Sequence, residues 1–458
     1  MSRPPLDRSR PPLPGPPQRF RFPPFERRPL LPGLTLLTSP EAGSHLLCLQ
    51  LVFEAGGEHQ TIDGQASLAA VLVDEGTRRH DSQALALEVE GLGAALSVAA
   101  GWDAAVAAFF GRSAHLPEAL GLLAELASEA SFPEEELERS RRQRMTELLR
   151  RRDSPSITAD LTLLSCLYGD TPYGRSILGT AESIARLDRE TLADFYQRRY
   201  LGRPMALVAC GGFDPAALEA AVAESFGALA PPFRSPDTDP TALAVRLAPQ
   251  APPARRVVVV DRPGAPQTEL RVGQVGFERR HPDHLPFQLL STLLGGKFTS
   301  RLNRNLRERN GFTYGVSSAQ STRRGPGPFI VSTAVANAVA GPACREIFVE
   351  LERLQSEPIP ESEVAENAQY LIGTFPFTLQ GAQQRAGRLE DLVTYGLPDD
   401  HFDRWLDGLA ACPAAELERV ARLHLTPESA TIVAVGPASE LVPQLGVWGE
   451  VEVRVSAG

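Results

Sequence analysis

The sequence repeats itself once, with a period of about 225 residues. An apolar strand pattern ends at Gly211 in the first half, and a matching pattern ends at Gly436, 225 residues later. Phe132–Leu137 and Ile359–Val364 also correspond, because each combines a proline with acidic residues at the start of a long amphipathic helix. Matched patterns at nearly one offset predict two homologous domains.

Within each half, strand patterns come before helical ones. This order predicts an α+β fold in which the helices of each domain pack on a mostly antiparallel sheet. The predicted strands are Leu34–Thr38, His45–Ala55, Ala94–Ala100, Ala104–Gly111, Val257–Asp261, Glu269–Phe277, Thr313–Gln320 and Phe329–Ala334. The predicted helices include Leu116–Glu129, Glu134–Arg151, Cys344–Gln355 and Ser362–Thr374.

Proline-rich stretches divide the chain. We predict a Pro/Arg-rich tail at residues 1–28, an N-terminal domain at 29–229, a linker at 230–253 and a C-terminal domain at 254–458. The tail is interpreted as a disordered or polyproline segment. The alternative is an arm that lies over a partner, with Phe20, Phe22 and Phe25 as its anchors.

Composition excludes several classes of function. A net charge of −10 and the lack of a basic patch argue against nucleic-acid binding. Five scattered cysteines, with no C-x-x-C pair, predict reduced and mostly buried thiols. No apolar run reaches the roughly 20 residues needed to span a bilayer, and the start of the chain lacks the apolar core of a secretion signal. We expect a cytoplasmic protein.

The segment Gly64–Thr77, an apolar helix after a strand, resembles the start of the pitrilysin/insulinase metallopeptidase family. The family carries the zinc motif H-x-x-E-H on this helix. On that pattern the first His falls on Ser67, the Glu on Ala70 and the second His on Val71. The family's third ligand, a Glu on a later helix, falls on Glu147, for which an exposed or arginine-paired role is the simpler interpretation.

These side chains cannot replace the motif, because a hydroxyl, a methyl and an isopropyl group supply neither two imidazole ligands nor a general base. We therefore expect no metal and no cofactor in this chain. Ser67 has no local His or acid to activate it as a nucleophile. The only close histidine pair, His281 and His284, flanks Pro282 and predicts a turn or helix cap rather than a metal site.

The second half holds a positive signal. Leu293–Val316 contains a Gly-Gly turn, Ser-Arg-Leu, then Arg-Glu-x-x-Gly and a tyrosine, and it resembles the family's C-terminal-half signature. The resemblance implies that Arg301 and Tyr314 hold the substrate backbone and stabilise an oxyanion at the zinc site of an opposing half or subunit. The alternative is that Arg301 pairs with a helix carboxylate and Tyr314 is a half-buried strand residue. Gly-Gly-Lys lacks the spacing of a phosphate-binding loop.

Three functions remain open from the sequence. The first is a non-catalytic subunit of a heterodimeric zinc peptidase, whose catalytic partner belongs to the same family, carries the zinc and cleaves peptides. The second is a protease-derived scaffold in a larger complex, and the third is an enzyme with an unrecognised site. The first predicts no hydrolysis by the chain alone; purified alone, it could form a homodimer.

Overall fold

The computed structural model of the chain describes residues 20–31, 33–201, 204–227, 247 and 254–455. The first domain is built on a six-stranded sheet with the order β1-β2-β6-β3-β5-β4. Its strands, in chain order, are Glu26–Leu31, Leu34–Pro40, Leu46–Phe53, Ala95–Ala100, Ala105–Arg112 and Pro204–Gly211. Helices α1 to α8 are Gln65–Val73, Ser82–Gly91, Leu116–Glu129, Glu134–Arg152, Pro155–Tyr168, Ala181–Arg186, Arg189–Arg199 and Pro215–Gly227.

The second domain is built on a six-stranded sheet with the order β12-β7-β11-β8-β10-β9. Strands β7 to β12 are Arg256–Asp261, Thr268–Val275, Val316–Gln320, Pro328–Val335, Thr431–Gly436 and Val451–Val455. Helices α9 to α15 are His284–Ser291, Ala340–Ser356, Glu361–Thr374, Ala382–Thr394, His401–Ala411, Ala414–His424 and Ala438–Leu445.

The two sheets have the same central topology. β6 ends at Gly211 and β11 at Gly436, and each is third in its sheet, parallel to one neighbour and antiparallel to the other. The strands at one edge of each sheet differ. In the chain, β1 comes before the other strands of its sheet and runs antiparallel to β2, whereas β12 comes after the other strands of its sheet and runs parallel to β7. Antiparallel pairs are in the majority in both sheets. The predicted fold of two homologous α+β domains is therefore confirmed.

Each domain covers its sheet partly with a helix from the other half of the chain. One face of the second sheet, including Val258 and Val433, packs with Leu163 of α5. In return, α12 packs on β3 and β6 of the first sheet, where Cys48 and Cys210 are buried in a core continuous with the second domain. The central strands of both sheets are thus buried on both faces, and the exchanged helices hold the domains together.

The segment before β1 also contacts the second domain. Phe22 stacks on Phe402 with ring centroids 4.7 Å apart, and Phe20 lies edge-on to Phe375 at 6.1 Å. Phe25 packs against the same core. The three phenylalanines proposed as anchors on a partner are therefore anchored on the chain's own second domain, which removes their rings from water.

Residues 1–19 of the predicted tail lie outside the described residues, as does the predicted linker except for the buried Leu247. All five cysteines are free thiols, and three of them are buried, as the sequence predicts. Among the described residues, no helix is long and apolar enough to cross a membrane.

Candidate functional site

Helix α1 holds the three positions of the degenerate zinc motif. It starts after Gly64, whose φ of 89° favours glycine. A Cβ at Gly64 would lie 2.6 Å from Cδ1 of Ile184. All residues of the helix are buried except Val71, which is half-buried. This agrees with the prediction of a buried helix that is apolar nearly all round.

The side chains at the three motif positions contact neighbouring protein groups. The Ser67 hydroxyl donates to the carbonyl of Ile177 at 2.8 Å and accepts a hydrogen bond from Nη1 of Arg144 at 2.7 Å. Ala70 is fully buried and Val71 offers only methyl groups. With no imidazole or carboxylate on this face of α1, the zinc ion of the family does not fit the site.

Arg144 of helix α4 occupies the space between the first and third ligand positions. Its side chain is only 7% exposed, and its Nε lies 3.4 Å from Oε2 of Glu147. Nη1 also donates to the carbonyl of Leu178 at 3.2 Å. Burial lowers the pKa of Arg144 from its ordinary value. Glu147 is half-exposed and also pairs with Arg151 at 3.8 Å, so it is an arginine-paired residue.

The Gly-Gly segment of the second domain is shaped by its contact with β9. Helix α9 continues into a π-helical turn at Thr292–Gly296, and a second π-helical stretch follows at Asn303–Arg309. A Cβ at Gly295 would lie 2.5 Å from the backbone nitrogen of Ser318, so only glycine fits there. The Asn303 side chain donates to the carbonyl of Val316 at 2.8 Å and fixes this segment to the strand.

Arg301 is held by a carboxylate of helix α11. Its Nε and Nη2 donate to the two oxygens of Glu363 at 3.0 and 2.6 Å, a bidentate pair in which the Arg301 side chain is 10% exposed. Arg304 also donates to Glu363, at 3.2 Å. Burial raises the pKa of Glu363, but the two guanidinium groups outweigh it and hold the pKa below its ordinary value. Sequence reasoning had not singled out Glu363.

Arg301 and Glu363 line a cleft of about 470 Å³ in the second domain. Other charged residues line it as well, so its surface mixes both signs of charge: Lys297, Arg304, Arg309, Glu350, Arg353, Glu357 and Glu366. Arg301 thus faces a polar cleft while its Nε and Nη2 donors are already bound to Glu363. A substrate group that accepts from these two donors must displace Glu363.

Tyr314 is 93% exposed and lies two residues before β9 begins. It is neither half-buried nor within a strand. Nearby in sequence, the guanidinium of Arg307 stacks on the ring of Phe298 at 3.5 Å and donates to the Phe298 carbonyl at 3.3 Å. Phe298 is itself 74% exposed. The segment therefore presents two exposed aromatic rings, one of them stacked by the mostly buried Arg307, which sequence reasoning had not distinguished from its neighbours.

The structure does not join the two sets of predicted residues within one chain. Ser67 and Glu147 belong to the first domain, and Arg301 and Tyr314 to the second. Across the ranges that the structure describes, no hydrogen bond or ion pair links the first set to the second.

Two other groups of metal-ligating side chains come together. In the first, Asp283 accepts a bidentate pair from Arg419 and lies 2.7 Å from Nε2 of His424. His281 accepts the Asp283 backbone N–H at 3.1 Å. Asp283 immediately precedes helix α9, which agrees with the predicted turn at His281–His284. An arginine already supplies the cation, so this cluster is a structural network.

The second group contains Glu54, Glu58 and His59. Arg324 from the second domain donates to Glu54 at 2.9 Å and to Glu58 at 2.8 Å. Burial raises the pKa of Glu58 well above its ordinary value. Here too a guanidinium supplies the positive charge, and the cluster joins the domains.

Two models of one known family match this chain. Residues 39–181 match the family model described as insulinase (peptidase family M16), and residues 186–371 match the model described as the peptidase M16 inactive domain. The chain belongs to the M16 peptidase family. The resemblance predicted from helix α1 and from the Gly-Gly segment is therefore confirmed.

The chain is similar to an uncharacterized zinc protease of Mycobacterium tuberculosis (strain ATCC 25618 / H37Rv). It is 28% identical over 328 residues, which cover 70% of this chain and 72% of that protein. Human mitochondrial-processing peptidase subunit beta is 28% identical over 178 residues, or 38% of this chain and 36% of that protein.

Two solved structures share the M16 fold along nearly the whole chain. A peptidase M16 inactive domain from Pseudomonas fluorescens superposes with a TM-score of 0.81 at 24% identity, covering 90% of this chain and 98% of that one. A protease from Helicobacter pylori gives 0.81 at 18% identity, covering 91% and 100%. At these identities the likeness shows the fold alone.

Proposed function

We propose that this chain is the non-catalytic subunit of a heterodimeric zinc peptidase and cleaves no peptide by itself. A partner of the same family would carry the zinc, and this chain would supply Arg301 and Tyr314 to the partner's reaction centre. The observation that carries the proposal is an asymmetry between the domains. Helix α1 has no zinc ligand, whereas the second domain retains the Gly-Gly segment with an exposed Tyr314.

Tyr314 suits a role in trans. Its ring is almost fully exposed, so its hydroxyl can reach a group on another molecule. A phenol that donates to a developing oxyanion in a water-poor cleft is typically worth roughly 10²–10³ in rate. The name of one relative, mitochondrial-processing peptidase subunit beta, also describes a peptidase with subunits.

Arg301 gives its Nε–Nη2 edge to Glu363. It can act in trans either through the N–H groups of Nη1 or by leaving Glu363. Arg307 offers a second guanidinium in the same segment, stacked on an exposed ring. Separate variants at the two arginines therefore show which one the partner's substrate uses. Arg301 is the residue that the resemblance assigns.

The test is reconstitution with a zinc-bearing M16 chain from the same source. Zinc content and cleavage of fluorogenic peptides are measured for this chain, for the other chain and for the mixture. We expect activity only in the mixture, with zinc only in the other chain. In the mixture, Tyr314→Phe and Arg301→Ala should each lower kcat about 10²–10³-fold, while Arg345→Ala, an exposed control on α10, should not.

Hydrolysis by this chain alone, or full activity of the zinc-bearing chain alone, contradicts the proposal. A loss with Arg307→Ala but not with Arg301→Ala keeps the proposed subunit role and moves the contact to Arg307. A mixture that is indifferent to Tyr314 and to both arginines removes the role in trans.

One observation favours a second candidate, a scaffold without a part in peptide cleavage. The buried bidentate pair of Arg301 with Glu363 is a contact of the fold, as the alternative interpretation of the sequence had it. On this reading Arg301→Ala lowers the stability of the chain itself. The same loss is expected for a subunit that acts in trans, because the pair with Glu363 is present in either case. Cleavage by the mixture separates the two, since Tyr314→Phe, at a 93% exposed position, leaves it unchanged if the chain is only a scaffold.

A further inference from the structure

A positively charged side chain, Arg144, lies at the position where the family binds zinc. Arg144 reaches from helix α4 to the Ser67 hydroxyl on α1, to the Leu178 carbonyl in the loop before α6 and to Glu147 on its own helix. Two of these partners, Ser67 and Glu147, are the first and third ligand positions of the family motif. One guanidinium therefore lies between the positions that a zinc ion would join.

The burial of Arg144 distinguishes it from the other arginines of its helix. The Arg144 side chain is 7% exposed, whereas Arg142, two residues earlier on the same helix, is exposed. A buried guanidinium is retained only where hydrogen bonds compensate for its lost hydration. Ser67 and Leu178 provide such acceptors, and both come from elements other than α4.

The charge also bears on metal binding. A fixed positive group beside a vacant ligand set repels a divalent cation, and the repulsion is stronger where water is excluded. Its bulk fills the space between α1 and α4 as well. Both effects act even if the missing ligands are restored.

We propose that Arg144 is a built-in structural cation that has taken the place of zinc in the first domain. It links α1, α4 and the loop at Leu178 through hydrogen bonds, and it keeps metal out. Loss of the metal in this chain is therefore more than a loss of ligands at Ser67, Ala70 and Val71. The inference concerns this chain alone and does not depend on the proposed heterodimer.

Metal binding by revertants provides the main test. The triple variant Ser67→His, Ala70→Glu, Val71→His restores the motif and keeps Arg144 and Glu147. We expect it to bind zinc at least tenfold more weakly than the same variant carrying Arg144→Met. Zinc content after dialysis and Co²⁺ titration followed by absorption give the affinities. The triple variant carrying Arg142→Met is the matched control and should bind like the triple variant itself.

A lysine variant separates charge from shape. In the triple background, Arg144→Lys keeps a positive charge but loses the planar fork. We expect it to exclude zinc nearly as well as arginine. Zinc binding equal to that of the Arg144→Met variant would show that charge does not exclude the metal. Equal zinc affinity with and without Arg144, including no binding in either, overturns the inference.

The structural half of the inference is tested without any metal. In the otherwise unchanged chain, Arg144→Met should lower the unfolding temperature by about 5 °C, and Arg142→Met by less than about 1 °C. Hydrogen exchange should quicken in α1 and near Leu178. Equal unfolding temperatures for the two variants would show that Arg144 is not a structural cation.

Discussion

A single half-buried arginine, Arg279, keeps two histidines neutral in the second domain. It donates to Nδ1 of His284 at 2.8 Å and to Nε2 of His401 at 2.9 Å, so both ring nitrogens must hold a lone pair. Burial, followed by the charge of Arg279, lowers the pKa of His284 to about 3 and that of His401 to about 4.

The consequence is a loss of stability in mild acid. In the unfolded chain both histidines titrate near the ordinary pKa of about 6.5, so between that pH and about 4 the unfolded state binds protons that the folded state does not. The free energy of unfolding should therefore decrease as the pH is lowered through this window, by at most about 1.4 kcal/mol per pH unit for each ring.

Urea unfolding from pH 7 to pH 4 checks this prediction. The His284→Gln, His401→Gln variant keeps acceptors for Arg279 but cannot titrate, and it should show a shallower dependence on pH. His45→Gln, a change at an exposed histidine, serves as the control. An unchanged slope in the double variant would contradict the assignment.

Residue contacts of this kind lie beyond what the sequence reveals. The absence of zinc ligands at Ser67, Ala70 and Val71 is visible in the sequence, because it requires only a motif and helical spacing. The Arg144 contact with Ser67 spans 77 residues, and the Arg301 contact with Glu363 spans 62. Such pairings depend on how helices pack, which no local pattern specifies.

Among the elements, helix α5 has the least expected position. It lies in the first half of the chain but covers the second sheet, with Leu163 fully buried against Val258 and Val433. Arg271 of β8 reinforces the contact by donating to Asp160 at 2.6 Å. A helix of one domain thus completes the core of the other.

Leu163→Ala should therefore destabilise the second domain, although the residue belongs to the first half. Removing a buried leucine costs about 2–5 kcal/mol through lost burial and the cavity left behind. Leu161→Ala, at a 37% exposed position of the same helix, should change the free energy of unfolding by less than about 0.5 kcal/mol.

Chemical denaturation measures the free energies, and hydrogen exchange of β8 and β11 locates the effect. Fast exchange confined to strands β1 to β6 would show that α5 stabilises only its own domain.

The sequence predicts every strand of the two sheets except β1 and β12, which form one edge of each sheet. The predicted strands and helices fall on observed elements, with ends that differ by a few residues, because buried strands carry continuous apolar runs. Strands β1 and β12 were not predicted: one contains Pro29 and the other is largely exposed, and both weaken the strand pattern. The exchange of α5 and α12 was also missed, since an apolar helix face does not specify which sheet it covers.

At the scale of the whole molecule, the loop between β9 and β10 fastens the second domain into the first. Arg324 donates to Glu54 and Glu58, and its backbone N–H donates to Asp103 at 3.1 Å. Tyr173 donates to the other oxygen of Asp103 at 2.5 Å. Burial and the neighbouring carboxylate raise the pKa of Tyr173 far above its ordinary value, so it remains a donor.

Arg324→Met should destabilise the entire chain. It removes the guanidinium that donates to the carboxylates of Glu54 and Glu58, and removing one member of a buried ion network typically costs about 3–5 kcal/mol. Arg345→Met, an exposed change in the same domain, should have little effect. Thermal unfolding followed by circular dichroism compares the two, and similar unfolding temperatures would show that the network does not hold the domains together.

The exchanged helices also set an order of events on the ribosome. Strand β6 completes the first sheet at Gly211, but helix α12, which covers one of its faces, is not finished until Thr394. At about 5–20 residues per second, that face stays bare for roughly ten to forty seconds of translation. Nascent chains halted before Thr394 should therefore recruit chaperones, and those extended well beyond it should not.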